Sequence, residues 1–247
     1  MDLYEKTALK AGEILIESNA EAYRVEETLI HILKHSPAKN VHVVALMTGL
    51  YASVENQEGK TETFVRRIQN RSNNLYKITK VNNISRALND GLSIEEAYKR
   101  LQELEKPPYS DLQNGIATCF LITMFFLLFG GPLKEVHFGL GIGIIVSLLL
   151  HIFNKNKTNL FIKNFLTCFA LATVTTLLAK SFDFHSDIVI SGAVMPMVPG
   201  TALTNGVRDI FRGDYTSGSA KLLEAIMIAL SIALGIAIGV LLGGVNV

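Results

Sequence analysis

The apolar positions of the chain separate two unlike halves. Residues 1–108 mix charged and apolar side chains, whereas residues 109–247 are mostly long apolar tracts joined by short polar loops. A helix of about 20 apolar residues is long enough to cross the hydrocarbon core of a membrane. The pattern therefore predicts an α-helical integral membrane protein with an N-terminal cytoplasmic α+β domain. The five predicted spans lie at about residues 112–131, 136–153, 160–179, 187–206 and 219–243.

The N-terminal half predicts helices and strands in succession. Residues 4–34 carry apolar side chains at helical spacing, with an interruption at ESNAEA that predicts two helices. β-branched and alternating residues between 41 and 68 predict three strands, the last two joined by a hairpin at NQEGK. Two further helices are predicted within residues 74–90 and 93–106. The Pro-Pro pair at 107–108 then closes the domain, because proline cannot donate to a continuing helix.

The start of the chain and the charges of its loops indicate the orientation of the spans. The first residues, MDLYEKTALKAGEIL, lack the basic flank and apolar run of a signal peptide, so the N-terminus is expected in the cytoplasm. Five spans then place the C-terminus outside the plasma membrane. Lysine and arginine are concentrated in the loops predicted inside, whereas the loops predicted outside carry only Lys134 and Lys180.

Composition argues against several classes of function. A net charge of +1 disfavours nucleic acid as a partner. Cys119 and Cys168 lie in apolar tracts without a CxxC or histidine partner at ligand spacing, so we interpret them as small apolar residues. We therefore expect neither a metal nor a cofactor.

The fourth predicted span is interrupted by the stretch MPMVPGTALTNGVRDIFRGD at residues 195–214. Two prolines remove backbone donors, and a glycine relaxes the backbone further, which predicts two half-helices with an unwound middle. Such broken helices expose helix ends and carbonyls to the substrates of transporters. An ordinary proline kink, repaired by neighbouring helices, is the alternative. The residues predicted to line a substrate path are Pro196, Pro199, Gly200, Thr204, Asn205, Arg208, Asp209 and Glu224.

Several polar residues of this half allow two interpretations. Arg208 can bind a carboxylate through two donors, or it can be an ordinary interfacial residue. Glu224 lies inside the fifth span, where an ionisable residue faces a cavity or an ion-pair partner. Polar residues of the third span either line a path or bond a neighbouring helix: Asn164, Thr167 and Thr175. One face of the fifth span predicts close helix packing through Ser231, Gly235, Gly239 and Gly243.

Two segments resemble a known family. MVPGTALTNGVRDIFRGDYTSGSAKLLEA resembles the membrane signature of the threonine/serine exporter family (ThrE type), and AGEILIESNAEAYRVEETL resembles the opening of that family's cytoplasmic domain. The similarity runs from about residue 5 to residue 243 and implies a secondary exporter of small amino acids or organic acids. In the first region the matching residues are Gly12, Glu21, Arg24 and Glu26. In the second they are Pro199, Gly200, Thr204, Asn205, Arg208, Asp209, Gly213, Asp214, Gly218 and Glu224.

The resemblance also implies a partner. Full-length family members are similar to this chain fused to a second group of about four or five spans, whereas this chain ends at Val247. It resembles the larger half of a split exporter, similar to the two-part succinate exporters. A second small membrane subunit of four or five spans and an oligomer are therefore expected. Arg208 and Arg212 suit any carboxylate, so threonine, serine and succinate all remain open as substrates.

Two other classes of function compete with transport. A membrane-anchored hydrolase would draw on the acid-base groups of the N-terminal half: Glu21, Arg24, Glu26, Glu27, His31 and His42. Glu27 and His31 instead fit an exposed i, i+4 pair, and the sequence has no nucleophile elbow, so we expect no enzyme. A regulatory subunit without its own path is the other alternative, and the polar residues of the interrupted span disfavour it.

Overall fold

The computed structural model describes residues 2–69, 71–104 and 109–244. In chain order its elements are α1 (Leu3–Glu17), α2 (Ala22–Leu33), β1 (Asn40–Leu46), β2 (Gly49–Glu55), β3 (Thr61–Arg67), α3 (Leu75–Ala87), α4 (Ile94–Glu103), α5 (Asp111–Leu128), α6 (Val136–Lys155), α7 (Leu160–Ala179), α8 (Ser186–Val194), α9 (Gly200–Phe211) and α10 (Tyr215–Gly243).

The chain divides into two compact units. The mixed unit comprises Met1–Pro108 and Gly200–Glu224, and the helical unit comprises Tyr109–Pro199 and Ala225–Val247. The predicted division at residue 108 placed the whole of 109–247 in one membrane domain. In the structure, α9 and the first part of α10 group with the N-terminal residues, and the domain boundary at residue 108 stays a prediction. The Pro-Pro pair at 107–108 lies outside the described residues.

The mixed unit has an antiparallel three-stranded sheet in the order β1-β2-β3. The central strand contributes Leu50 and Ala52 to a core that also contains Leu15 and Leu29 of the first two helices. Gly12 permits close packing there, since a Cβ atom on it would lie 2.6 Å from Leu50 Cδ2 and 2.7 Å from Leu29 Cδ1. The predicted strands and helices of this half are all present, including the break between α1 and α2.

The helical unit is built from α5 to α8 and the remainder of α10. Its core gathers large side chains such as Phe126 of α5 and Leu171 of α7. At Gly192 of α8 an added Cβ would lie 2.8 Å from the backbone nitrogen of Phe126, so α8 and α5 are in backbone contact. Glycine at this position therefore lets two apolar helices approach more closely than any side chain would allow.

The glycines of α10 pack against α7 in the same way. A Cβ on Gly235 would lie 2.6 Å from Phe165 O, and one on Gly239 would lie 2.7 Å from Phe169 O. A Cβ on Gly243 would lie 2.5 Å from the side-chain Cβ atom of Thr176. The glycines of the face predicted to pack closely against another helix lie against α7 of the same chain.

Among the described residues, four helices are long and apolar enough to cross a membrane, and five spans result if one bent pair counts as a single span. The four are α5, α6 with the turn before it, α7 and α10. The bent pair consists of Ser186–Met197 and Gly200–Phe211, so the break predicted in the fourth span is present. Two helix limits differ from the prediction. The fourth span was predicted to end at residue 206, but α9 extends to Phe211. The fifth was predicted to begin at residue 219, but α10 begins at Tyr215.

Candidate functional site

The break before α9 follows from the two prolines. After α8, a short 3-10 turn covers Met195–Met197, and Val198 is extended with φ −63° and ψ 129°. The residue before a proline disfavours the helical region, because the proline ring clashes with its backbone. Val198 precedes Pro199, so the chain leaves the helical conformation there and re-enters it at Gly200. The two prolines therefore end the apolar helix α8, and the amphipathic helix α9 begins at Gly200.

The polar side chains of α9 contact the junction between α1 and α2 within the mixed unit. Asn205 Nδ2 donates to the carbonyl oxygen of Asn19 at 2.8 Å. Arg208 Nη1 donates to Glu21 Oε1. Thr204, by contrast, is exposed and donates to Gly200 O at 2.9 Å within its own helix. Two predicted path residues therefore contact residues more than 180 positions earlier in the chain.

Asp209 forms a buried ion pair. Its side chain is 0% exposed, and Oδ2 accepts a hydrogen bond of 2.7 Å from Lys221 Nζ. The ammonium also donates to Ala20 O at 2.9 Å. Asp209 Oδ1 accepts from the backbone nitrogen of Ala22, the first residue of α2, at 3.2 Å. The carboxylate thus satisfies a free N–H group in the first turn of α2 and carries a charge that suits a helix N-terminus.

Glu224 has an ion-pair partner that sequence analysis did not identify. The Arg71 guanidinium donates to Glu224 Oε1 at 3.0 Å and to Oε2 at 3.2 Å. Both side chains are largely buried, at 18% and 27% exposure. Such two-donor contacts fix the orientation of the two side chains and neutralise the charge of each.

Arg212, close to α9 in the chain, contacts an aromatic ring. Its guanidinium lies 3.6 Å from the centre of the Tyr23 ring, a favourable cation–π contact.

The family-motif carboxylates occupy different environments. Burial alone would raise the pKa of Glu21, but hydrogen bonds and the guanidiniums of Arg24 and Arg208 lower its pKa below the ordinary value. Glu26 Oε1 accepts from the backbone nitrogen of Ala45 at 2.9 Å, which joins α2 to β1. Burial and the negative charges of Asp214 and Asp209 raise the pKa of Glu26, although that hydrogen bond opposes the shift.

The raised pKa of Glu26 predicts a pH-dependent stability. Because the folded state disfavours the ionised carboxyl, wild-type stability falls as pH rises through the raised pKa. Glu26→Gln keeps an acceptor for Ala45 and removes the charge. We expect the variant to melt higher than wild type near pH 7 and the difference to disappear towards about pH 4. Melting temperatures of the purified chain in detergent test this.

The matched control for Glu26→Gln is Glu27→Gln, which changes an exposed carboxylate on the same helix. We expect its melting temperature to follow that of wild type at every pH. A Glu26→Gln curve parallel to wild type would contradict the assigned environment of Glu26.

The acid-base groups proposed for a hydrolase lie in different environments of the mixed unit. Glu27 and His42 are exposed on different elements, and Glu26 is committed to Ala45. His31 Nδ1 lies 2.9 Å from Ser85 Oγ, a contact of the kind that activates a nucleophile. Ser85, however, is only 5% exposed in the core between α2 and α3, so a substrate cannot reach its hydroxyl group.

The polar residues predicted in the third and fifth spans lie inside the helical unit. Asn164, Thr167 and Thr175 are buried on α7, and Ser231 is buried on α10. The hydroxyl groups donate to carbonyl oxygens of their own helices at 2.7 to 2.8 Å. The three hydroxyl groups are therefore satisfied within their own helices.

A polar cavity of about 470 Å³ lies between α5 and α6 in the helical unit and was not predicted from the sequence. Its lining includes Asn114 and Thr118 on one helix and Ser147 and His151 on the other. Each pair is spaced by four residues, so both helices carry a polar stripe within an apolar tract. That spacing can be read from the sequence.

Glu135 was also not predicted as a buried residue. It is 4% exposed, and its carboxylate accepts hydrogen bonds of 2.9 Å from both the backbone and the ring of His185.

Comparison with known families extends these observations. A family model described as "Putative threonine/serine exporter" (ThrE) matches residues 6–243, which is nearly the whole chain. No curated protein and no solved structure matches the chain significantly. The matched range includes both the α1–α2 junction and the polar residues of α9 that contact it.

Proposed function

Since the chain belongs to the threonine/serine exporter family, we propose that it is a secondary exporter. Its cargo is a small amino acid such as threonine or serine, or a small organic acid such as succinate. The observation that carries this proposal is the family match over residues 6–243, in a chain with four to five helices of membrane-spanning length. Export of a polar cargo needs a polar route, and a bent helix pair such as the one around Pro196 and Pro199 is a feature of transporter substrate paths.

In the proposed mechanism, the cargo passes the break between α8 and α9. Discontinuous helices present free N–H groups and carbonyl groups to a polar cargo. Arg208 is 47% exposed, so part of its guanidinium stays open to a carboxylate while Glu21 holds the rest. Thr204 presents an exposed hydroxyl group one turn away. Pro199 and Gly200 are the residues that open the backbone.

The topology and assembly belong to the same proposal. The N-terminus lies in the cytoplasm and the C-terminus outside the plasma membrane, as the loop charges favour. The exporter acts as an oligomer with a second small membrane subunit of four or five spans. Purification of the chain together with membrane proteins encoded by neighbouring reading frames tests the partner directly.

Efflux from loaded cells tests the function. Cells loaded with threonine, serine or succinate should lose one of these compounds faster when the chain is expressed. Arg208→Ala should reduce that rate by roughly 10- to 100-fold, because a charged hydrogen bond is worth about 1.5–3 kcal/mol. Arg208→Lys should also reduce it, since an ammonium cannot reproduce the planar two-donor contact. Asn205→Ala should act in the same direction.

The matched control is Arg67→Ala, which removes an exposed arginine from β3 in the same unit. We expect wild-type efflux from this variant, with all variants present at wild-type abundance in the membrane. Wild-type efflux from the Arg208 and Asn205 variants would contradict the path through α9. Absence of any export by wild type, with or without its partner, would contradict the function itself.

The hydrolase and the regulatory subunit remain the competing proposals. Purified chain that cleaves peptide or ester substrates would favour the first. A chain that is required for export by a partner, but tolerates every substitution along α9, would favour the second.

A further inference from the structure

The mixed unit contains a cavity of about 370 Å³, and two of the predicted path residues, Asn205 and Arg208, belong to its lining. It lies between the α1–α2 junction, the start of α3 and the start of α9. Its volume falls within the roughly 300–1,000 Å³ of small-molecule sites. The lining also includes Ser18, Asn19, Glu21, Arg24 and Thr201.

The charged groups on the cavity wall favour an anion. Arg24 Nε donates to Glu21 Oε2 at 2.9 Å, and Arg208 donates to the other oxygen of the same carboxylate. Two guanidinium groups therefore share one negative charge. Each guanidinium has five N–H donors, so both keep donors beyond the ones that Glu21 occupies. A ligand carboxylate would neutralise the remaining positive charge and accept from these donors.

Three oxygen atoms of the lining residues define what else the ligand must supply. Across residues 2–69, 71–104 and 109–244, the buried side-chain oxygens without a hydrogen-bond partner are Ser18 Oγ, Asn19 Oδ1 and Thr201 Oγ1. Ser18 is only 2% exposed. Buried polar atoms are normally paired, and unpaired ones call for an explanation such as a ligand. All three belong to residues that line this one cavity.

The chemistry of these oxygens discriminates between acids. A hydroxyl oxygen can donate or accept, but an amide oxygen such as Asn19 Oδ1 can only accept. Its partner must therefore be a donor, for example an ammonium or hydroxyl group. An amino acid or hydroxy acid carries such a donor next to its carboxylate, whereas an ionised dicarboxylate carries none.

We propose that this cavity is a binding site for a small amino acid or hydroxy acid. The carboxylate binds Arg24 and Arg208, and the ammonium or hydroxyl group donates to Asn19 Oδ1, with Ser18 and Thr201 completing the contacts. That this ligand is also the transported cargo rests on the proposed function. The site itself does not, because it is defined by the residues of the mixed unit alone.

Binding to the purified full-length chain in detergent tests the site without transport. L-threonine labelled with tritium should bind saturably, and unlabelled L-threonine should displace it. L-threonine methyl ester lacks the carboxylate, and succinate lacks the donor, so both should compete at least about tenfold less well. Succinate that competes as well as threonine would overturn the assignment of the ligand class, and absence of saturable binding would overturn the site.

Two substitutions separate a binding role from a structural one. Ser18→Ala and Thr201→Val remove hydroxyl groups that have no protein partner, so neither should lower the melting temperature. Each should weaken threonine binding by about tenfold, the effect of one lost hydrogen bond. Thr7→Val is the matched control, because the buried Thr7 hydroxyl already donates to Leu3 O at 2.7 Å and lies outside the cavity. Its threonine affinity should equal that of wild type.

The efflux and binding experiments can fail separately. Export of threonine without saturable binding, or with wild-type affinity in Ser18→Ala and Thr201→Val, would overturn the site and leave the proposed function standing. Saturable binding that both variants weaken, in a chain that exports nothing, would support the site as a ligand sensor and contradict the exporter.

Discussion

Lys221→Met is expected to lower the free energy of unfolding by about 3–5 kcal/mol, because it leaves a buried carboxylate without its counter-charge. Asp209 is fully buried, and the Lys221 side chain is only 5% exposed, so water cannot replace the lost partner. The substitution also removes the donor to Ala20 O. Thermal melting of the purified chain in detergent should show a decrease of roughly 10 °C.

Two further variants isolate the charge. Asp209→Asn combined with Lys221→Met removes both ions at similar volume and should recover much of the lost stability. Lys60→Met breaks an exposed pair with Glu62, at 71% and 43% exposure, and should cost less than about 1 kcal/mol. A Lys221→Met chain that melts like wild type would contradict the importance of the buried pair.

Gly235→Ala is expected to destabilise the helical unit by about 1–3 kcal/mol, although alanine is intrinsically the better helix former. The added Cβ would lie 2.6 Å from Phe165 O, and a backbone oxygen cannot rotate away as a side chain can. Helices α7 and α10 must then separate and lose contact along their length. Gly235→Leu should abolish the folded chain, measured as the yield of monodisperse protein in detergent.

Gly141→Ala is the control for this pair of substitutions. It also places alanine for glycine in a membrane-length helix, but its Cβ would meet nothing within 4 Å. We expect a melting temperature equal to or above that of wild type. If Gly235→Ala alters only the ratio of monomer to oligomer and leaves the melting temperature unchanged, the α7 contact is not what this glycine serves.

Elements with strong local signals were predictable from the sequence. The interruption at ESNAEA separated α1 from α2, and the apolar tracts gave α5, α6 and α7 nearly to the residue. Proline chemistry is also local, so the break before Gly200 was foreseen. In each case the signal is local in the sequence: the spacing of apolar residues, the length of an apolar tract, or a proline that lacks a backbone donor.

Partners far apart in the chain were not predictable. Glu224 was recognised as a residue in need of a partner, but nothing in the sequence singles out Arg71, which is 153 positions away. The same applies to Glu21 and Arg208, separated by 187 positions. Asn19 adopts φ 64°, a left-handed conformation that asparagine tolerates, but its role beside a cavity depends on where α9 lies. Such pairings arise from the tertiary arrangement, which single residue types do not encode.

Because α9 is synthesised long after α1 and α2, the mixed unit can complete its folding only late in translation. The ribosome adds about 5–20 residues per second, so roughly 10–40 s pass between the synthesis of Glu21 and that of Arg208. During this interval the N-terminal helices lack the ion pair to Arg208, the carboxylate that caps α2 and one wall of the cavity. The mixed unit can be completed only after α5 to α8 have been made. A chain that stalls before Gly200 therefore leaves the backbone N–H of Ala22 and the carboxylate of Glu21 without the partners that α9 supplies.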